Sequence, residues 1–168
     1  SARLFTAVFV ARNAAKFPQF ITLQDAEVAW LFDVLTQDKG DTDCEFALEC
    51  LLSAHPISWD AAHIDRLERA AFWRVYETSL RKTRRWDALL AFYARDQDGQ
   101  HHAPGQLFHR VAELFTLPGL RRPAQREALG PVWMACIHDV PDSLLGDVAH
   151  VVMQYWEHGQ EQVLRELQ

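Results

Sequence analysis

The stretch TLQDAEVAWLFDVLTQDKG, Thr22 to Gly40, decides how the rest of the chain is read. Its apolar residues return every three or four positions through Leu23, Ala26, Trp30 and Val34, with Leu31 and Leu35 beside them. That is the period of an α-helix, whereas a half-buried strand would alternate every second residue. Thr22 with an acid three residues on reads as a helix start, and Gly40 reads as a stop. An apolar face this broad belongs at the centre of a helical core.

The same spacing continues in both directions. Upstream, a helix is expected from Arg3 to Ala15, burying Leu4, Val8, Ala11 and Ala15 and ended by Lys16-Phe17-Pro18. Downstream, a helix after Asp43 uses Ala47, Leu48, Leu51 and Leu52. One long helix capped by Ser58 then carries Ile64, Leu67, Ala71, Val75 and Leu80, and another from Thr83 holds Trp86, Leu89, Leu90 and Tyr93. Arg95 to Gly105, RDQDGQHHAPG, is rich in turn formers and reads as a loop. Further helical spacing follows from Gln106, from near Pro123 and from near Pro141, with a short tail around Val163, Leu164 and Leu167. The connections are short and no shift of composition marks a boundary. The expected fold is all-α: a single compact bundle of seven to nine mostly antiparallel helices, with residues 1–168 as one domain. The opening lacks a methionine and already reads as helix, so the chain is expected to be processed, tagged or cut from a longer protein.

Composition narrows the class. Of 168 residues, 49% are hydrophobic and 24% charged, a globular balance with enough chain to bury a core. The apolar runs are far too short to cross a bilayer. Cys44, Cys50 and Cys136 form no CxxC pair, and the first two lie about 600° apart around a helix. They are expected to be reduced, buried thiols in a cytoplasmic protein.

The net charge of −6 conceals a segregated pattern. Residues 1–65 carry ten acids and four bases, residues 66–126 six acids and twelve bases, and residues 127–168 seven acids and one base. The basic centre holds RKTRR, Arg81 to Arg85, before Trp86, and a second cluster at Arg121-Arg122. Helix ends account for part of this, because basic side chains there meet free carbonyls and the helix dipole. Tryptophan and arginine are also the residues on which protein interfaces concentrate their binding energy.

Two histidine patterns suggest metal chemistry. His109 on one helical stretch and the adjacent pair His138-Asp139 in CIHDV resemble the first parts of the HD-domain phosphohydrolase pattern. That resemblance implies a divalent metal held by His109, His138 and Asp139 and a bound water that attacks a phosphate ester. The chain departs from the family after the pair, where Val140-Pro141 follows and Asp142 and Asp147 are too close to serve as the distant aspartate. A His-Asp pair also suits the end of one helix and the start of the next. Asp60-x-x-His63 and Asp147-x-x-His150 are similar to the inward ligands of di-iron bundles, which use the longer glutamate in that place.

The reading that follows is a non-catalytic protein-interaction module of adaptor, chaperone-like or immunity type, without a metal or cofactor. It is expected to grip the acidic surface of a protein partner through Trp73, Arg81, Lys82, Arg84, Arg85, Trp86, Arg121 and Arg122. No membrane partner is expected. The HD-type enzyme is the catalytic alternative, and a regulatory nucleic-acid binder is the third reading.

Overall fold

The computed structural model describes residues 1–95 together with Arg110, Glu113, Leu114, Gly146 and His150. Among the described residues there are helices and no strand, as the all-α class expects. They are α1 (Ala2–Ala14), α2 (Asp25–Leu35), α3 (Thr42–Ala54), α4 (Ala61–Ala70), α5 (Trp73–Lys82) and α6 (Trp86–Arg95). The chain divides into two units, Ser1–Thr83 and Arg84–Gln168. In the first, α1 packs on α3 and α2, α2 on α3, α3 on α5, and α4 on α5.

The core of the first unit follows the helical period, but two faces differ from the expected ones. Helix α1 buries Ala7, Ala11 and Ala14, not the stripe of Leu4 and Val8. Small side chains let its backbone settle closely on α3, and the bulkier residues turn outward. In α2 the buried set is Val28, Leu31, Phe32 and Leu35, spaced three, four and seven residues from the first, with Val34 beside it. Trp30 is instead 40% exposed and receives the Arg3 guanidinium, whose Cζ lies 5.3 Å from the ring centroid. Leu48 and Leu51 of α3 are fully buried and Leu52 nearly so, as their spacing predicts.

Helix starts sit within a turn of their expected places. The Glu27 carboxylate accepts from the Gln24 amide at 2.8 Å, so α2 begins at Asp25 with Gln24 as its cap, two residues past the anticipated Thr22 cap. Asp41 caps α3 by accepting from the Cys44 amide at 2.8 Å. Gly40, at φ 70°, donates from its amide to the Ala70 carbonyl at 2.8 Å and so satisfies one of the last acceptors of α4.

The long helix expected from Ser58 to Leu80 is two helices. Ala71 takes the left-handed conformation (φ 56°, ψ 38°), and the Phe72 amide reaches back to the Leu67 carbonyl at 3.1 Å. This is the hydrogen bond of a Schellman stop. Phe72 is fully buried at the corner, and α5 starts without a capping side chain of its own. Glu45 from α3 supplies one: its Oε1 accepts from the amides of Arg74 at 2.8 Å and Val75 at 3.4 Å. A carboxylate there also meets the positive end of the α5 dipole.

Arg66 of α4 ties back to the end of α2. Its guanidinium donates to Thr36 Oγ1 at 2.7 Å, to Asp33 Oδ1 at 2.7 Å and to the Asp33 carbonyl at 2.9 Å. Thr36 Oγ1 in turn donates to the Phe32 carbonyl at 2.8 Å. The cation therefore sits at the negative end of α2 while joining residues thirty or more positions apart.

In the second unit α6 buries Leu89, Leu90, Phe92 and Tyr93. Its start at Trp86, three residues after the expected Thr83, follows from Thr83 ending α5 as its C-cap. Leu114 is fully buried, and Arg110 lies 3.9 Å from Glu113 one turn on. The remaining helices expected after Arg95 fall outside the described residues.

Candidate interaction surface

Between Glu77 and Asp87 the chain carries four cations and no carboxylate. The helical period of α5 separates them by role. Arg81 is one turn beyond the buried Glu77, and its Nε lies 3.5 Å from Glu77 Oε1. Much of the Arg81 charge is therefore spent within the unit. Lys82, the last residue of α5, is exposed. Arg84, with φ 54°, and Arg85 lie between α5 and α6 and are also exposed. They follow the last turn of α5 in the chain, and positive charge near a helix C-terminus is favoured by the helix dipole.

The tryptophans are less available than their number suggests. Trp73 opens α5, is half-buried and meets the Tyr76 ring edge-on at 5.8 Å, while Tyr76 itself is buried. Trp86, the first residue of α6, is half-buried. Trp59 lies before α4, with its ring 6.4 Å from Phe32 and 6.2 Å from His63. Arg121 and Arg122 lie outside the described residues, as do His109, His138, Asp139 and Asp147.

The described half of the di-iron pattern has a structural occupation. Asp60 and His63 form the start of α4, where Asp60 Oδ1 accepts from the His63 amide at 2.8 Å. His63 Nδ1 lies 2.8 Å from the same carboxylate oxygen. The amide hydrogen bond is the main reason the Asp60 carboxyl stays below its ordinary range. The His63 ring packs edge-on to Phe32 at 5.1 Å. Among the described residues, no group of three or more histidines, cysteines or carboxylates comes together in a way that could hold a metal ion.

Cys44 is buried, and its thiol is pushed up to about 12, chiefly by burial and then by the Asp41 charge. A thiol so held stays protonated and is a poor nucleophile or ligand near neutral pH. Glu49 is also raised, by burial first, with Arg74 opposing and Glu45 adding to the rise. The folded state then keeps a proton that the unfolded chain releases, so stability falls as pH climbs from the ordinary glutamate value to the raised one. Above that window Glu49→Gln is expected to raise the urea midpoint slightly, the group being partly exposed. The gain should be present at about pH 7 and gone at about pH 3.5, below the ordinary value. An equal gain at both would mean that ionisation is not its source.

The residues missed by sequence reasoning lie on α1. Phe5 and Phe9 are 75% and 59% exposed, directly opposite the buried alanines. A stripe of alanines at positions 7, 11 and 14 was the available signal, since it leaves the phenylalanines no inward position. Phe17 and Phe20 are exposed as well. Comparison with protein-family models, curated proteins and solved structures finds no match to this chain.

Proposed function

We propose that this chain is a non-catalytic protein-interaction module, of adaptor, chaperone-like or immunity type, acting in the cytoplasm. It binds an acidic face of a protein partner through its basic centre: Lys82, Arg84, Arg85 and the neighbouring Trp86, with Trp73, Arg81, Arg121 and Arg122 in supporting roles. The reading includes a fold of seven to nine helices in one bundle, on the strength of the helical spacing that continues after Gln106.

The observation that carries it is the exposure of Lys82, Arg84 and Arg85 in a stretch without a carboxylate. Three exposed cations in four positions repel one another, and an acidic surface relieves that repulsion while steering encounter. Arginine adds a planar fork that matches carboxylates bidentately. Among the described residues, no helix is long and apolar enough to cross a membrane.

The test is capture from native lysate by the purified chain, compared with a variant carrying Lys82→Glu, Arg84→Glu and Arg85→Glu. We expect the variant to keep its helical circular dichroism and to lose at least about tenfold of the captured protein partner, as for loss of an interface hot spot. Nucleic acid as the material lost, released by salt in the wild type, would replace this reading with the nucleic-acid one. Equal recovery of the same protein by both forms would remove the basic centre from binding.

A further inference from the structure

Among the described residues, three hold a positive φ: Gly40 at 70°, Ala71 at 56° and Arg84 at 54°. In this left-handed region a Cβ crowds the backbone carbonyl, so glycine takes it freely and other side chains only at a cost. Gly40 has no Cβ to crowd. At Ala71 the cost is offset locally, because Phe72 is fully buried and its amide returns to the Leu67 carbonyl. Arg84 has neither remedy. The residue after it, Arg85, is exposed, and among the described residues the Arg84 guanidinium has no hydrogen-bond or ion-pair partner. The α5 dipole favours cations at this end, yet Arg81 and Lys82 already stand in its last turn. Thr83 closes that turn unaided, its amide and its hydroxyl both donating to the Ser79 carbonyl, at 3.0 Å and 2.8 Å. Folding alone therefore gives no reason for an arginine at a position that suits glycine.

We infer that Arg84 is the anchor of the basic centre: its guanidinium grips a carboxylate of the acidic partner, and its strained backbone is kept for binding and not for stability. The inference rests on the proposed function and names the residue that sets the specificity of that same site. Non-glycine residues in sparsely populated backbone regions gather at binding and catalytic sites. The backbone angles set the direction in which Cβ leaves the chain, so a left-handed arginine presents its stem along a course that a helical one does not. A planar guanidinium donates two parallel hydrogen bonds to one carboxylate, which an ammonium cannot do. Lys82, in the last turn of α5, supplies charge alone. Arg85 belongs to the start of α6, where its carbonyl accepts from the Leu89 amide at 3.0 Å. Arg84 is the single residue between that start and the Thr83 cap.

The probe is a fluorescent glutamate-rich peptide titrated with the full chain at low salt, with urea unfolding measured on the same variants. Arg84→Gly is expected to move the two readouts in opposite directions. Glycine relieves the backbone and raises the urea midpoint by about 0.5 M, while the peptide binds about tenfold more weakly. Arg84→Asn, which also tolerates the left-handed region, should behave alike. Arg84→Lys keeps the charge and the backbone, so the midpoint stays in place, but loss of the paired donors should still weaken the peptide by about fivefold. Ala71→Gly should raise the midpoint and bind the peptide as the wild type does, so relief of strain is not itself the cause of lost binding. Arg85→Ala removes the same charge and should cost clearly less than Arg84→Gly. A lower midpoint for Arg84→Gly, or equal losses from Arg84→Gly and Arg85→Ala, overturns the inference and leaves the proposed function standing. Binding that survives Lys82→Glu, Arg84→Glu and Arg85→Glu together overturns the proposed function and the inference with it, as does a wild-type chain that leaves the peptide free. Single-stranded DNA bound in preference to the peptide, and lost in Arg84→Gly, assigns the anchor to a phosphate and overturns the carboxylate reading.

Discussion

Replacing Glu45 with alanine is expected to cost the first unit about 3 kcal/mol, seen as a lower urea midpoint at unchanged slope. Glu45 is only 8% exposed, and its carboxylate closes the turn where α4 gives way to α5. Losing it leaves the Arg74 and Val75 amides without that acceptor, and the Val75 amide has little water to replace it. An ordinary exposed cap is worth about 1 kcal/mol, and the excess here comes from burial and from charge facing the helix dipole. The ion pair with Arg74 is the lesser part: Nε stands 3.6 Å from Glu45 Oε2 and 3.3 Å from Glu49 Oε1, on a side chain that is 58% exposed. Glu45→Gln, which keeps an acceptor oxygen, should therefore recover most of the loss. If it is as damaging as alanine, charge pairing and not capping is what holds the corner.

Ala11→Leu is expected to cost about 2 kcal/mol by overpacking, with hydrogen exchange accelerated across α1. Ala11 has no exposed surface, and α1 touches α3 along its alanine side. A leucine there must push the helix away and loosen Ala7 and Ala14 with it. On the opposite side of the same helix, Phe9→Ala should change stability by less than about 0.5 kcal/mol. The inequality is the content of the prediction, because it inverts the usual expectation that phenylalanine is core and alanine is surface. A larger loss for Phe9→Ala than for Ala11→Leu would mean that α1 is seated the other way round.

That inversion shows what a single sequence can carry. The helical period gave the all-α class, and the leucines of α3 are buried where their spacing puts them. Periodicity fixes only that one side of a helix is inward. In α1 both an aliphatic stripe and an alanine stripe satisfied it, and closeness to α3 selected the alanines. In α2 the apolar surface was broad enough to offer two stripes, and the choice fell on Val28, Leu31, Phe32 and Leu35 once Trp30 had Arg3 to cover it. The corner at Ala71 was illegible because no glycine or proline marks it. It is held by burial of Phe72 and by Glu45, 26 positions upstream, so its cause is tertiary. The Arg66 contacts to Asp33 and Thr36 were hidden for the same reason.

The candidate surface was legible in part. Clustering of Lys82, Arg84 and Arg85 is written in the chain, and the three side chains are exposed. The division of labour is not: Arg81 lies against Glu77, Trp73 leans on Tyr76, and Asp60 with His63 begins a helix. Each of these is a local contact one helical turn long that competes with a functional reading of the same residue type.

The most direct measurement of the central claim is site-specific photo-crosslinking in native lysate, with benzoylphenylalanine replacing Arg85 in one sample and the exposed Asp65 of α4 in another. A protein partner bound at the basic centre should form one discrete adduct from position 85, traced by mass spectrometry to an acidic peptide, and none from position 65. Adducts of equal yield from both positions, or none from position 85, would contradict the account.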